Sequence, residues 1–245
     1  MTIKDKVVAI TGAGRGIGRH TALHLALRGA QMVLGARSET ELSAVAAEIE
    51  AAGGKAAYRV TDVTNRSDLA PLVLCACEAF GRLDVIVNNA GIGPISRFDA
   101  LRVEDWDAMI DVNLRGTLYG IAAALPVFAR QGHGHVVNVL STAGLKIVPT
   151  MGVYAATKNA LRTATEALRQ EAGPNLRVTE VSPGFIDTTF TDSSITDPDV
   201  RAAINKQKEQ LAISPDAIAR AIAFAIEQPA DVEVGSIVVR PTAQD

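Results

Sequence analysis

Cysteine is scarce in this sequence, two residues in 245, and both stand close together at Cys75 and Cys77. Two thiols so close on one helix cannot staple distant elements, and the residues between them give no metal-ligand pattern. Reduced structural thiols are expected, and no metal. An excess of one charge is missing too: 24 Lys and Arg face 27 Asp and Glu, a net charge of −3, with no basic block. Nucleic-acid surfaces need a concentrated positive field, so small molecules are the expected partners and nucleic acid is not. No apolar run reaches the ~18 residues of a membrane span, and the chain enters the apolar run "KVVAIT" almost at once, leaving no room for a signal peptide. A cytoplasmic protein without a membrane partner is the expectation. Nothing resembling a linker divides the chain, and a 48% hydrophobic content suffices to bury the core of one α/β domain, residues 1–245.

What is present alternates between two periods. Short runs rich in Val, Ile and Leu ("KVVAIT", "QMVLGA", "KAAYRV", "LDVIVN", "HVVNVL", "LRVTEV", "GSIVVR") are separated by stretches with helical spacing, such as "TELSAVAAEIEAAG". Strands apolar on both faces belong in a parallel sheet covered by helices on each side. Right-handed crossovers then predict a Rossmann-type, doubly wound, seven-stranded parallel sheet. The polar stretch 187–210 interrupts the rhythm between the sixth strand and the last helix. Its place outside the carboxyl ends of the strands predicts a mobile substrate lid.

The first strand-to-helix junction is "TGAGRGIG", residues 11–18, where Gly12, Gly16 and Gly18 let backbone amides approach a pyrophosphate. A tight turn can need glycine for its own sake, so context has to carry this reading. About 20 residues on, a fold of this kind offers an acid to the adenosine ribose when NAD is bound. Here that place holds Ala36, followed by Arg37. Arg37, with Arg15 in the glycine loop, would pair with a 2′-phosphate, and the missing acid points to NADP(H); the alternative is two solvated surface arginines.

"YAATK" sets Tyr154 and Lys158 one helical turn apart. A phenol titrating near ~10 costs roughly 4 kcal/mol to ionise at neutral pH, and an adjacent ammonium lowers that cost. On spacing alone the two would more often be a surface pair. His20 and His24 share a helix face, yet lack the intervening glutamate and a third ligand that a zinc site needs. His133 and His135 in "GHGHV" are expected in a solvated turn, and Asn88 is expected to satisfy backbone groups between strands.

With "TGAGRGIG" at 11, "DV" at 62, "NNAG" at 88, Asn113, Ser141, "YAATK" at 154 and "PGFIDT" at 183, the sequence resembles the short-chain dehydrogenase/reductase family over nearly its whole length. The resemblance implies a nicotinamide-dependent oxidoreductase with Asn113, Ser141, Tyr154 and Lys158 as its catalytic group. It implies that Asp62 and Val63 contact the adenine, that Asn89 and Ala90 lie under the adenosine ribose, and that Thr188 reaches the nicotinamide side. Ile17, Gly91, Pro183, Gly184 and Ile186, within the same motifs, are implied as further cofactor contacts. Tyr154 would act as a general acid tuned by Lys158, Ser141 would donate to the same substrate oxygen, and Lys158 would also hold the nicotinamide ribose. The carbonyl region of Asn113 would anchor a water that resupplies the proton. The Arg15 and Arg37 pair looks like the family's NADP type. The apolar helices from Trp106 to Phe128 and from Tyr154 to Leu168 suit self-association, and the resemblance implies a homo-oligomer, dimer or tetramer, built on them.

Leu145, Ile147, Val148, Met151, Phe185 and Phe190, with Lys146 the one cation among them, are the expected pocket residues. An apolar wall suits an uncharged ketone, aldehyde or secondary alcohol better than a free carboxylate. A 3-oxoacyl thioester reductase is the alternative within this chemistry. A binding protein that senses NADPH without turnover is the alternative outside it.

Overall fold

The computed structural model describes residues 3–190, 195 and 197–244. Seven strands form one parallel sheet: β1 (Val7–Thr11), β2 (Gln31–Ala36), β3 (Lys55–Val60), β4 (Val85–Asn88), β5 (Gly134–Val139), β6 (Leu176–Pro183) and β7 (Ser236–Val239). Their order is β3-β2-β1-β4-β5-β6-β7, so the chain reverses direction across the sheet between β1 and β4. Ligands of such sheets bind at this switch point, outside the carboxyl ends of the strands.

Alternation in β1 shows why the sheet is covered on both sides. Val8 and Ile10 face a core shared with helices α1 (Gly16–Leu27) and α2 (Glu39–Ala51), through Leu25, Leu42 and Ile49. Val7 and Ala9 face the opposite core with α3 (Arg66–Phe80), through Leu69 and Leu72. Burial on both faces is what makes the strand read as a continuous apolar run. The second core also receives Ile121 and Phe128 of α5 (Gly116–Gln131), which continues from α4 (Val103–Met109) through a π-helical turn at Ile110–Arg115. Helix α6 (Gly152–Glu171) packs on β6, and α8 (Asp216–Glu227) closes the first face beside α1.

One sequence expectation needs correction, and two other stretches gain detail. His135 is not in a solvated turn: it lies in β5, is 2% exposed, and its Nε2 sits 2.8 Å from Thr179 Oγ1. The Thr179 hydroxyl donates onward to the Val234 carbonyl, and burial holds the imidazole well below its usual pKa. The 187–210 stretch contains a helix, α7 (Pro198–Leu211), whose Ile204 is buried against Ile95 and Ile195; residues 191–194 and 196 of this stretch lie outside the described residues. The helical run Val103–Gln131 is long and apolar enough to span a bilayer by length and composition, although it packs against α3 and the sheet and is 44% buried in its most apolar window. Elsewhere, Cys75 and Cys77 are free and half-buried on α3, and His20 faces Asp216 Oδ1 at 3.0 Å.

Candidate active site

Backbone geometry builds one end of the site. Gly12 and Gly16 have φ of +67° and +54°, a region where side-chain-bearing residues are strained. Gly18 is needed for contact instead: a Cβ there would stand 2.2 Å from the Gly12 carbonyl oxygen. Asn89 locks this turn from β4, its Nδ2 donating to the carbonyls of Thr11 (3.0 Å) and Gly12 (3.2 Å). The N–H groups of Asn89 and Ala90 donate to Thr11 Oγ1 at 3.0 and 3.1 Å. No side chain caps the first turn of α1, and no acid lies in it. The first amides of that helix therefore have no intrahelical partner and face outward at its positive end.

From this turn a cavity of about 670 Å³ runs along the carboxyl ends of the strands to α6 and α7. Gly12, Arg15, Gly16 and Ile17 line it, as do Arg37, Asp62, Val63, Asn89, Ala90 and Gly91. Two of the residues singled out in the sequence lie behind the wall. Gly18 backs the glycine turn, and Asn113 is wholly buried. At the Arg37 end, Asp62 accepts from the N–H and hydroxyl of Thr64 at 3.0 and 2.8 Å, while Val63 fills the space that the missing side chain of Gly116 leaves. Glu41 also lines this end, its carboxylate where a Gly14 Cβ would be 2.6 Å away. The sequence reading missed it. Its signal was present: Ser38 caps α2 by accepting from the Glu41 N–H at 3.3 Å, and the glutamate of "SETE" turns toward the glycine loop.

At the other end stand Ser141, Tyr154 and Lys158, with Pro183, Gly184, Ile186 and Thr188 on the facing wall. Ser141 ends the β5 segment and caps a short 3₁₀ turn, Thr142–Gly144, its Oγ accepting from the Ala143 N–H at 3.1 Å. That leaves the Ser141 hydroxyl proton available for donation on the side of Tyr154, whose pKa the serine acts to lower. Lys158 is 4% exposed, donates to the Val139 carbonyl at 3.0 Å and lies 5.9 Å from the Tyr154 ring centre. Burial pushes the Tyr154 phenol up to about 12, with the Ser141 hydrogen bond opposing it, and pushes Lys158 down to about 8. This corrects the expectation that Lys158 lowers the phenol's pKa. Desolvation is the largest influence on both groups, so at neutral pH the phenol keeps its proton.

Asn113 sits in the π turn and braces the site from behind. Its Oδ1 accepts from the Ile92 N–H at 2.8 Å, and its Nδ2 donates to the Ile92 carbonyl at 2.9 Å and to Thr157 Oγ1 at 3.2 Å. Its own carbonyl accepts from the Thr117 hydroxyl at 3.1 Å. Thr157 donates to the Tyr154 carbonyl at 2.8 Å, so the bracing reaches the helix that carries the phenol. Asn88 Nδ2 donates to the side chain of Asn138 at 2.9 Å, rather than to backbone groups, and Asn138 donates to Thr165 of α6.

Around Tyr154 the wall is apolar. Leu145, Val148, Met151, Phe185 and Phe190 line it, whereas Ile147 points away and is 80% exposed. Phe190 lies over Gly93 and its ring centre is 6.0 Å from that of Tyr154. Helix α7 adds Ile204, Gln207, Lys208 and Leu211; the first three lie within the 187–210 stretch expected beside the substrate, although none was singled out by name. Lys208 donates to the Thr188 carbonyl at 2.6 Å and faces Asp187 at 3.4 Å, which ties α7 to the segment after β6.

Residues 6–199 match the short chain dehydrogenase family. The chain belongs to this family. As a short-chain dehydrogenase it is 45% identical over its full length to an uncharacterized oxidoreductase of Listeria monocytogenes, covering 99% of that protein. Among solved structures it is similar to an alcohol dehydrogenase from Thermococcus sibiricus complexed with 5-hydroxy-NADP, at 34% identity, TM-score 0.88 and 99% of each chain. It is also similar to a 3-ketoacyl-(acyl-carrier-protein) reductase from Brucella melitensis complexed with NADH, at 29% identity, TM-score 0.85 and 98% of each chain. The protein is an oxidoreductase with the single Rossmann-like sheet of short-chain dehydrogenases.

Proposed function

We propose that this short-chain dehydrogenase is an NADPH-dependent carbonyl reductase acting on uncharged ketones or aldehydes and, in reverse, on secondary alcohols. One observation carries the reading: a single cavity joins a glycine turn flanked by Arg15 and Arg37 to a protonated phenol set in an apolar wall. A dinucleotide fits the residues present. The uncapped amides of α1 with Gly12, Gly16 and Ile17 would take the pyrophosphate, and Asp62 and Val63 the adenine. Ala36 offers no carboxylate to a ribose hydroxyl, and the two arginines suit a 2′-phosphate. Lys158 would hold the nicotinamide ribose, and Thr188 with Pro183, Gly184 and Ile186 the nicotinamide side. The Thermococcus relative was solved with an NADP analogue and the Brucella relative with NADH, so the arginines, not the relatives, favour NADPH.

When bound, the nicotinamide supplies the hydride for reduction of the carbonyl carbon. Tyr154 gives its proton to the developing alkoxide, and a phenol pushed up to about 12 is fully protonated for that role. Ser141 donates to the same oxygen, an interaction that strengthens as charge builds in the transition state. Lys158 supplies positive charge beside the phenol once its proton has left. Asn113 is assigned here to holding the loop after β4 against α6. Phe185, Phe190, Met151 and Val148 exclude water and match a substrate without charge. Assembly with a second copy through α5 and α6, and a cytoplasmic location, belong to this reading.

Nucleotide oxidation by the purified protein, with NADPH and NADH offered separately against neutral ketones, ketoesters and charged oxo acids, tests the proposal. Turnover preferring NADPH and neutral carbonyls is the expected result. Turnover confined to carboxylated or phosphorylated substrates would overturn the substrate class, and nucleotide binding without any turnover would favour a sensor.

A further inference from the structure

We infer that Gln244 is a positioning residue: its side-chain amide clamps the turn after Ser141 to the segment after β6 and so sets the width of the substrate end of the cavity. After β7 the chain makes a turn in which the Gln244 N–H donates to the Pro241 carbonyl at 3.0 Å. From this turn the side chain reaches both walls. The Phe185 N–H donates to Gln244 Oε1 at 2.9 Å, and Gln244 Nε2 donates to Thr142 Oγ1 at 3.3 Å. A peptide N–H can only donate, so the atom facing Phe185 is the amide oxygen, which leaves the NH₂ group for Thr142. One planar amide thus spans two segments that are 59 and 102 residues away in sequence.

The surroundings are shaped for this contact. Gly184, within the "PGFIDT" motif, leaves the room: a Cβ there would lie 2.2 Å from Gln244 Oε1 and 2.7 Å from Arg240 Cβ. The Gly184 N–H donates to the Val239 carbonyl at 2.8 Å, which holds the start of the segment against the end of β7. Arg240, Ala243 and Gln244 all line the cavity. On one side, Thr142 opens the 3₁₀ turn that orients the Ser141 hydroxyl. On the other, Phe185 packs with Met151 and Tyr154 against the cluster of Ile95, Ile195 and Ile204. Tethering both to one amide couples the hydrogen-bond donor of the site to its apolar wall, and small displacements of such groups are costly to turnover.

The test compares Gln244→Ala with Gln244→Glu. A glutamate can accept from the Phe185 N–H and from the Thr142 hydroxyl, so it keeps the clamp while changing the chemistry. In Gln244→Ala the Phe185 amide is expected to exchange with solvent deuterium about tenfold faster, as a lost hydrogen bond implies, and in Gln244→Glu to keep its protection. With a neutral ketone, Gln244→Ala is expected to raise KM about tenfold while NADPH affinity, read by fluorescence titration, changes less than about twofold. The clamp is overturned if Phe185 exchange is unchanged in the alanine variant, if glutamate fails to restore it, or if KM and nucleotide affinity move together. The kinetic arm rests on the proposed carbonyl reduction, whereas the exchange arm needs no turnover. Failure to reduce any ketone would therefore sink the proposed function and leave Phe185 exchange to decide the clamp.

Discussion

At the β1–β2 end of the cavity a glycine turn presents backbone beside polar side chains, whereas at the β5–β6 end the reacting groups stand among apolar side chains. The first end is built on Gly12, Gly16 and Gly18, with Asn89 tying β4 to the turn by two hydrogen bonds. The second end assembles Ser141, Tyr154 and Lys158 with aromatic and aliphatic groups from the segments Leu145–Met151 and Phe185–Phe190 and from α7. On the proposed reading, backbone walls suit what all dinucleotides share, the pyrophosphate, and tolerate few substitutions. Side-chain walls can vary in shape while the reacting groups stay in place, so that reading puts substrate choice there.

The largest test of this contrast is Tyr154→Phe. Losing the acid should lower kcat by about a thousandfold and leave nucleotide affinity nearly unchanged, because the phenol hydroxyl belongs to the side-chain end. Surviving turnover in a stopped-flow assay would overturn the mechanism. Gly18→Ala attacks the backbone end: with the Gly12 carbonyl 2.2 Å from the new Cβ, a loss of about 3 kcal/mol in urea unfolding is expected, together with weaker nucleotide binding. An unperturbed variant would mean that the turn can relax.

Both groups of the cavity that burial shifts, Lys158 and Tyr154, belong to the side-chain end. Burial lowers Lys158 from 10.5 to about 8, so between these pH values the unfolded chain holds a proton that the folded chain does not. Stability therefore rises with pH across this window, by at most about 1.4 kcal/mol per unit, and Lys158→Met should abolish the rise. Tyr154 acts oppositely. Its pKa is raised from 10 to about 12, so the contribution it makes below pH 10 is lost as the pH rises through 12. Urea unfolding at a series of pH values checks both signs. The smallest effect is expected from Arg37→Asp, about a fivefold to tenfold shift of nucleotide preference toward NADH. An unchanged preference in fluorescence titrations would place recognition of the 2′-phosphate elsewhere.

Short-range features of the site were the legible ones. Glycines that need positive φ, an arginine following an alanine at the end of β2, and a tyrosine and lysine one helical turn apart are all local, and the structure brings each of them to the cavity. Reading failed where burial or distant contact decided the outcome. His135 stands beside glycine in a polar-looking stretch, yet it pairs with Thr179 of the next strand inside the sheet. Ile147 looks like its neighbours Leu145 and Val148 but points into solvent. The expected lowering of the Tyr154 pKa was argued from spacing, and spacing does not report desolvation.

The sequence by itself determined the strand and helix periods, the parallel doubly wound sheet and the local motifs of its turns, because backbone conformation and amphipathic pattern are set within a few residues. Only the tertiary structure decided which groups share the cavity: Glu41 against Gly14, Lys208 of α7 against Thr188, and Gln244 between Thr142 and Phe185. Those contacts join segments up to 102 residues apart. They depend on sheet register and helix packing, which place side chains in space without leaving any mark at a fixed spacing along the chain.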